Sequence, residues 1–173
     1  MEMQRLSSKE LELYSKVISL EGDIEEKIEL IGNLGIFDEY KKVHQQYAKL
    51  CEEDLEALKR GLFLTWYSIM EPSWLTGIGE LDPDAEERII KTLDLKLNQD
   101  FSDKELNWMI NYYSNWEGVF DRFNNYLALK NKLQNSDKED FRDLIKDKEM
   151  SNRGQMGIYW NTILSEKHNN QKS

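Results

Sequence analysis

Glu80, Asp82, Asp84 and Glu86 alternate along the chain, a spacing that resembles the opening of a calcium-binding loop. The detail fails. Counting from Glu80, the turn glycine is replaced by Ala85, the closing bidentate carboxylate by Lys91, and Pro83 sits among the ligands; counting from Asp82, the last two positions are Glu87 and Leu93. Helix capping explains the same acids: Asp82-Pro83 is an N-cap followed by proline at the first helical position, with Asp84, Glu86 and Glu87 near the positive end of the dipole.

The other reactive side chains are few. Cys51 lies in Leu-Cys-Glu-Glu-Asp, where neighbouring carboxylates disfavour a thiolate. His44 lies seven residues before it on one helix, about 10 Å away along the axis and too far to share a zinc ion. Neither His44 nor His168 has an acid three residues before it, so the Glu-x-x-His pairs of a carboxylate di-iron bundle are missing. Gly77-Ile78-Gly79 lacks the third glycine of a dinucleotide loop, and no Gly-x-Ser-x-Gly, phosphate-binding loop or His-Glu-x-x-His occurs. No catalytic residue, metal or cofactor is expected.

What remains is a loop and an aromatic run. Gly61 to Met70 is apolar in every direction and ends at Glu71-Pro72; beyond it, Glu71, Ser73, Trp74, Thr76, Glu80 and Asp82 are placed to line a pocket, with Asp84 at its border. Packing of the loop onto the core is the competing reading. Trp108, Tyr112 and Trp116 interleave with Asn107, Asn111 and Asn115, as if to stack on sugars or bases, although their helical spacing favours core packing.

Charge narrows the partners. With 33 acidic and 23 basic residues in 173, the net charge is −10, which repels nucleic acid and anionic lipid surfaces. Residues 61–100 hold 8 acidic and 3 basic side chains, so a cationic partner is drawn toward the loop. One cysteine makes no internal disulfide, no glycosylation sequon occurs, Met1 to Leu6 lacks a signal-peptide core, and the longest apolar run is far short of a bilayer span. The expectation is a cytoplasmic protein.

The elements that must position these residues read as helices. Ser7 with Glu10, Ser102 with Glu105 and Ser136 with Glu139 fit the capping box, and Asp23 with Glu26 is a near relative. Leu11, Tyr14 and Ile18 form one stripe; Ile24, Ile28 and Ile31 form the next, closed by Gly32 and Gly35. A long stripe from Asp38 through Leu62 is expected to run, bent near Gly61, into the apolar segment, for which a strand is the alternative. Ile89, Ile90, Leu93 and Leu97 mark a helix after Pro83. From 106 to 127 the spacing predicts one helix with an apolar arc of roughly 200°, sandwiched between layers or offered to another chain. Phe141, Leu144 and Ile145 mark a short helix, and Met156, Tyr159, Trp160 and Ile163 a last one.

These readings combine into a single all-α domain over residues 1–165, a bundle of six to seven helices with a central hydrophobic helix, followed by a disordered polar tail over 166–173. The first functional expectation is a non-enzymatic interaction protein of the inhibitor or immunity type, binding a basic protein partner through Glu71, Trp74, Glu80, Asp82, Asp84 and Trp108, with Trp74 or Trp108 as anchor. The second is a small-molecule or metal-dependent enzyme with its pocket at the 71–84 loop and Glu71 or Glu80 as general base. The third is a homodimeric scaffold joined through the 106–127 helix.

Overall fold

The computed structural model of the chain describes residues 2–99, 101–136 and 149–170, the last five as backbone only. Among these residues every regular element is helical: α1 (Glu2–Ile18), α2 (Ile24–Asn33), α3 (Ile36–Leu50), α4 (Leu55–Met70), α5 (Ser73–Thr76), α6 (Pro83–Asn98), α7 (Lys104–Tyr113), a 3-10 turn (Asp121–Phe123), α8 (Leu127–Gln134) and α9 (Gly154–Asn170). The expected cap at Ser136 and the Phe141 helix lie on or against residues outside the described ones.

The apolar segment is helical, and α4 packs against α3, α6 and α9 with residues 57–66 all buried. Gly61 allows the close approach: a Cβ there would meet Ile89 Cδ1 at 2.6 Å and Tyr47 Cβ at 3.4 Å, so α3 and α6 cross α4 where it has no side chain. The long stripe from Asp38 is interrupted. Residues 51–54 leave the helix because the Asp54 side chain accepts from the Glu56 and Ala57 N–H groups and starts α4 afresh.

The expected 106–127 helix is also interrupted. Helix α7 stops at Tyr113, where the Ser114 hydroxyl turns back to the Asn111 carbonyl, and Gly118 adopts a left-handed φ of 81°. Met109, Ile110, Tyr113, Phe120 and Phe123 are nevertheless all buried, by two short elements instead of one rod. The aromatic stretch is therefore divided between α7 and the 3-10 turn. At the C-terminus, α9 continues to Asn170, into the stretch read as tail.

Two capping pairs have a different role from the one their spacing suggests, whereas Asp23 and Glu26 do form a reciprocal box on α2. Helix α1 begins at Glu2, which puts Ser7 and Glu10 inside it, one turn apart on one face and both buried. They cap another helix. The Gly154 N–H donates to Ser7 Oγ at 3.0 Å and the Gln155 N–H to Glu10 Oε2 at 3.0 Å, so two side chains of α1 receive the free donors at the start of α9. A Cβ on Gly154 would collide with the Glu10 carboxyl, and its φ of 60° is left-handed. Likewise, Asp103 and not Ser102 caps α7, accepting from the Leu106 N–H at 2.8 Å, and Glu105 is buried.

Around Glu10 and Glu105 runs a buried ionic seam. Arg153 holds Glu56 with two bonds, at 2.7 and 2.6 Å, and donates to Glu105. Lys59 reaches Glu105 at 2.7 Å and Asp103 at 2.9 Å. Arg60 reaches Glu56 at 2.9 Å and the Asn152 carbonyl at 2.8 Å. Burial pushes the Glu56 carboxyl up, but Arg153 and Arg60 outweigh it and hold the group below its usual range. Glu10 is the exception. It accepts from the Tyr47 hydroxyl, but burial dominates and raises its pKa to about 7.

Two outcomes follow from the seam. Replacing Glu105 with Ala leaves Lys59 with Asp103 and Arg153 with Glu56 as their remaining carboxylates, both partly exposed, and is expected to cost about 3 kcal/mol in urea unfolding, with an unchanged m value. Glu10 binds its proton more tightly folded than unfolded, so its contribution is complete below about pH 4.5 and is lost as pH rises to about 7. Unfolding free energies measured from pH 4.5 to 8 should show a decline that Glu10→Gln flattens, because the amide imitates the protonated acid.

Candidate functional site

Where α4 ends, its last turn emerges from the core: Ile69 is exposed and Glu71 caps the helix in an extended conformation. Pro72 then starts the single turn of α5, and the chain returns through Ile78 and Leu81, both buried, to the Asp82 cap of α6. Between the α4 exit, this loop, the first turns of α6 and the 3-10 turn lies an open groove with a volume of about 940 Å³.

Four carboxylates line it: Glu71, Glu80, Glu86 and Glu87, against the guanidinium of Arg122. Its apolar lining comes from Met70, Ile78, Leu81 and Phe123, with the Tyr126 ring beside them. Glu86 is 5% exposed and pairs with Arg122, which also lies over the Phe123 ring at 4.8 Å. Burial raises the Glu86 carboxyl above its usual range, and Arg122 offsets only part of that rise. Glu87 accepts from the Tyr126 hydroxyl at 2.9 Å, so the 3-10 side of the groove is tied to α6 at two points.

The expected site residues divide. Glu71 and Glu80 line the groove. Asp82 is a structural cap, accepting from the Ala85 N–H at 3.0 Å and from Gln45 Nε2 at 2.8 Å, which pin the start of α6 to α3. Asp84 faces a separate surface depression shared with Glu52, Arg88 and Lys91. Trp74 is half-buried on α5 and is not part of the groove lining. Trp108 is 2% exposed, with its ring 4.5 Å from that of Trp160, so it belongs to the core and cannot anchor a partner on this surface.

Glu86, Glu87, Arg122 and Tyr126 also line the groove; Glu86 and Glu87 were read from the chain as acids near a helix start, and Arg122 and Tyr126 only as part of the 106–127 stretch. The two glutamates carried a signal that capping absorbed. Arg122 carried a subtler one, as the only basic residue between Lys104 and Lys130.

The remaining reactive groups are held elsewhere. His44 is fully buried with Nε2 at 2.9 Å from Thr65 Oγ1, and burial lowers its pKa to about 4, so it is neutral at physiological pH. Burial likewise raises the Cys51 thiol, which points at the Ala48 carbonyl. Among the described residues no group of three His, Cys, Asp or Glu side chains is placed to share a metal ion. No helix among them is long and apolar enough to cross a membrane. No protein-family model matches the chain, and neither a curated protein nor a solved structure matches it.

Proposed function

We propose that the protein is a non-enzymatic interaction protein that captures a basic partner in the acidic groove between α4, α6 and the 3-10 turn, as inhibitor or immunity-type proteins do. The observation that carries this reading is the convergence of Glu71, Glu80, Glu86 and Glu87 on one concave surface with Arg122 as the cation among them. Lysine or arginine side chains entering the groove would meet unneutralised carboxylates above an apolar lining, and the net charge of −10 would steer them there.

A second reading keeps the groove and changes the chemistry. The buried, raised carboxyl of Glu86 is the kind of group a small-molecule enzyme uses for proton transfer, and its partner Arg122 would release it when a cationic substrate enters. In that case Glu86, and not Glu71 or Glu80, is the general base.

Titration calorimetry with an arginine-only peptide tests the first reading. Affinity should fall between about 50 and 200 mM salt, and Glu80→Lys/Glu87→Lys should weaken binding about tenfold more than Glu2→Lys/Glu12→Lys, which changes the net charge equally on α1. Equal losses for the two pairs, or an affinity indifferent to salt, would overturn it.

A further inference from the structure

A second surface has a different composition. Helix α2 is attached to the body through Ile31, which is fully buried, and it packs on α3 and α5. One and two turns earlier on the same face stand Ile28 and Ile24, yet these are 40% and 52% exposed. The face that should be inward therefore overhangs the edge of the core. Ile18, at the end of α1, is 60% exposed, and Leu75, on the short α5 that packs on both α1 and α2, is 42% exposed. Half-buried Trp74 precedes Leu75. Because α1 and α2 both pack on α5, these exposed apolar side chains lie on three elements that meet at α5, here called the apolar corner.

Acids border this corner. Residues 21–29 contain Glu21, Asp23, Glu25, Glu26 and Glu29 against the single base Lys27. Only Asp23 and Glu26 are occupied among the described residues, by each other's backbone N–H.

Two properties select the occupant. A second copy of the chain would bring the same acids against these in a self-complementary contact, and a few side chains on a ten-residue helix fall well short of the ~800 Å² per partner that a stable dimer buries. A short helical segment has no such difficulty: it needs only two or three apolar residues at i, i+4 and i+7, and its flanking lysines or arginines find the acids.

We propose that the corner formed by Ile18, Ile24, Ile28 and Leu75 docks an amphipathic helix of a partner protein whose basic residues meet Glu21, Glu25 and Glu29. The proposal rests on the reading of the protein as a binder of basic chains, but it uses a surface on the other side of α5. Ser73, at the first position of α5, lines the groove, while Leu75 belongs to the corner, so a partner can engage either or both.

The test uses the full chain and two synthetic peptides of about 18 residues, long enough to become helical on contact: one of leucine and lysine in amphipathic order, and its leucine and glutamate counterpart. Fluorescence anisotropy should show the lysine peptide binding and the glutamate peptide failing to bind. Ile24→Ser/Ile28→Ser should weaken the lysine peptide about tenfold or more, and Leu75→Ser, on a different helix, should weaken it in the same direction. Made in the Glu80→Lys/Glu87→Lys background, where the groove no longer attracts the peptide, the serine substitutions should weaken its binding by the same factor, which separates failure of the corner from failure of the groove. The proposal is overturned if the serine variants bind as the parent does, if the glutamate peptide binds equally well, or if sedimentation shows a dimer that Ile24→Ser/Ile28→Ser dissolves.

Discussion

Three cations and their carboxylates, enclosed together, set the rest of the architecture. Lys59 and Arg60 sit in the middle of a helix whose residues 57–66 are buried, and Arg153 enters from the opposite end of the chain. A buried cation without an anion is very costly, so each arrangement of α1, α4, α7 and α9 that fails to bring Glu56, Asp103 and Glu105 to those three groups is penalised. With Glu10 protonated, three positive groups face three negative ones. Its ionisation as pH rises would add a fourth negative charge in the interior, and burial, which outweighs the Tyr47 hydroxyl, the Gln155 N–H and Arg60, is the physical reason its proton is retained to about pH 7. Well-packed apolar residues could give comparable stability, so the role of the seam is better described as fixing which way α9 docks. Once docked, Tyr159 and Trp160 close on Phe63, Trp66 and Trp108, and the aromatic layer follows from the polar one.

The same seam marks where the sequence was legible and where it was not. The pattern of apolar residues identified most of the helices and the buried character of the segment from Gly61, which it carried to Met70 although burial ends at Trp66 and Ile69 is exposed. It could not identify the seam, since a pair such as Glu56 and Arg153, 97 positions apart, leaves no spacing to read. Ser7 and Glu10 are the instructive case. Their spacing of three was read as a helix start, and they do satisfy the start of a helix, but that of α9, 145 residues downstream of Glu10. Spacing fixes that two side chains share a face of α1, not what the face meets. The interruptions after Leu50 and Tyr113 were hidden for a related reason: an apolar stripe continues through a turn whenever both flanking elements pack on the same core, as Tyr113 and Phe120 do. Of the site, the acids Glu71 and Glu80 were legible from their loop, whereas Arg122 and Tyr126 come from an element that periodicity had merged into a long helix.

The chain thus contains two acidic environments with opposite accounting of charge. Inside, each carboxylate of the seam has a cation or a donor, and the raised pKa of Glu10 belongs to a packed helix junction. A perturbed pKa there is a structural signature and not a site. At the groove, four carboxylates stand beside one guanidinium, that of Arg122, which pairs with Glu86, and the burial that raises Glu86 occurs beside open volume. Like charges gathered on a concave surface repel one another and weaken the folded state, so their arrangement opposes stability where the seam serves it. A departure of that kind from local consistency is expected where a surface is selected for what it meets. The corner at α2 departs in a different sense, leaving Ile24 and Ile28 in water on the very face that Ile31 buries. Both departures would be relieved by one class of partner, a chain carrying positive charge with apolar residues at helical spacing.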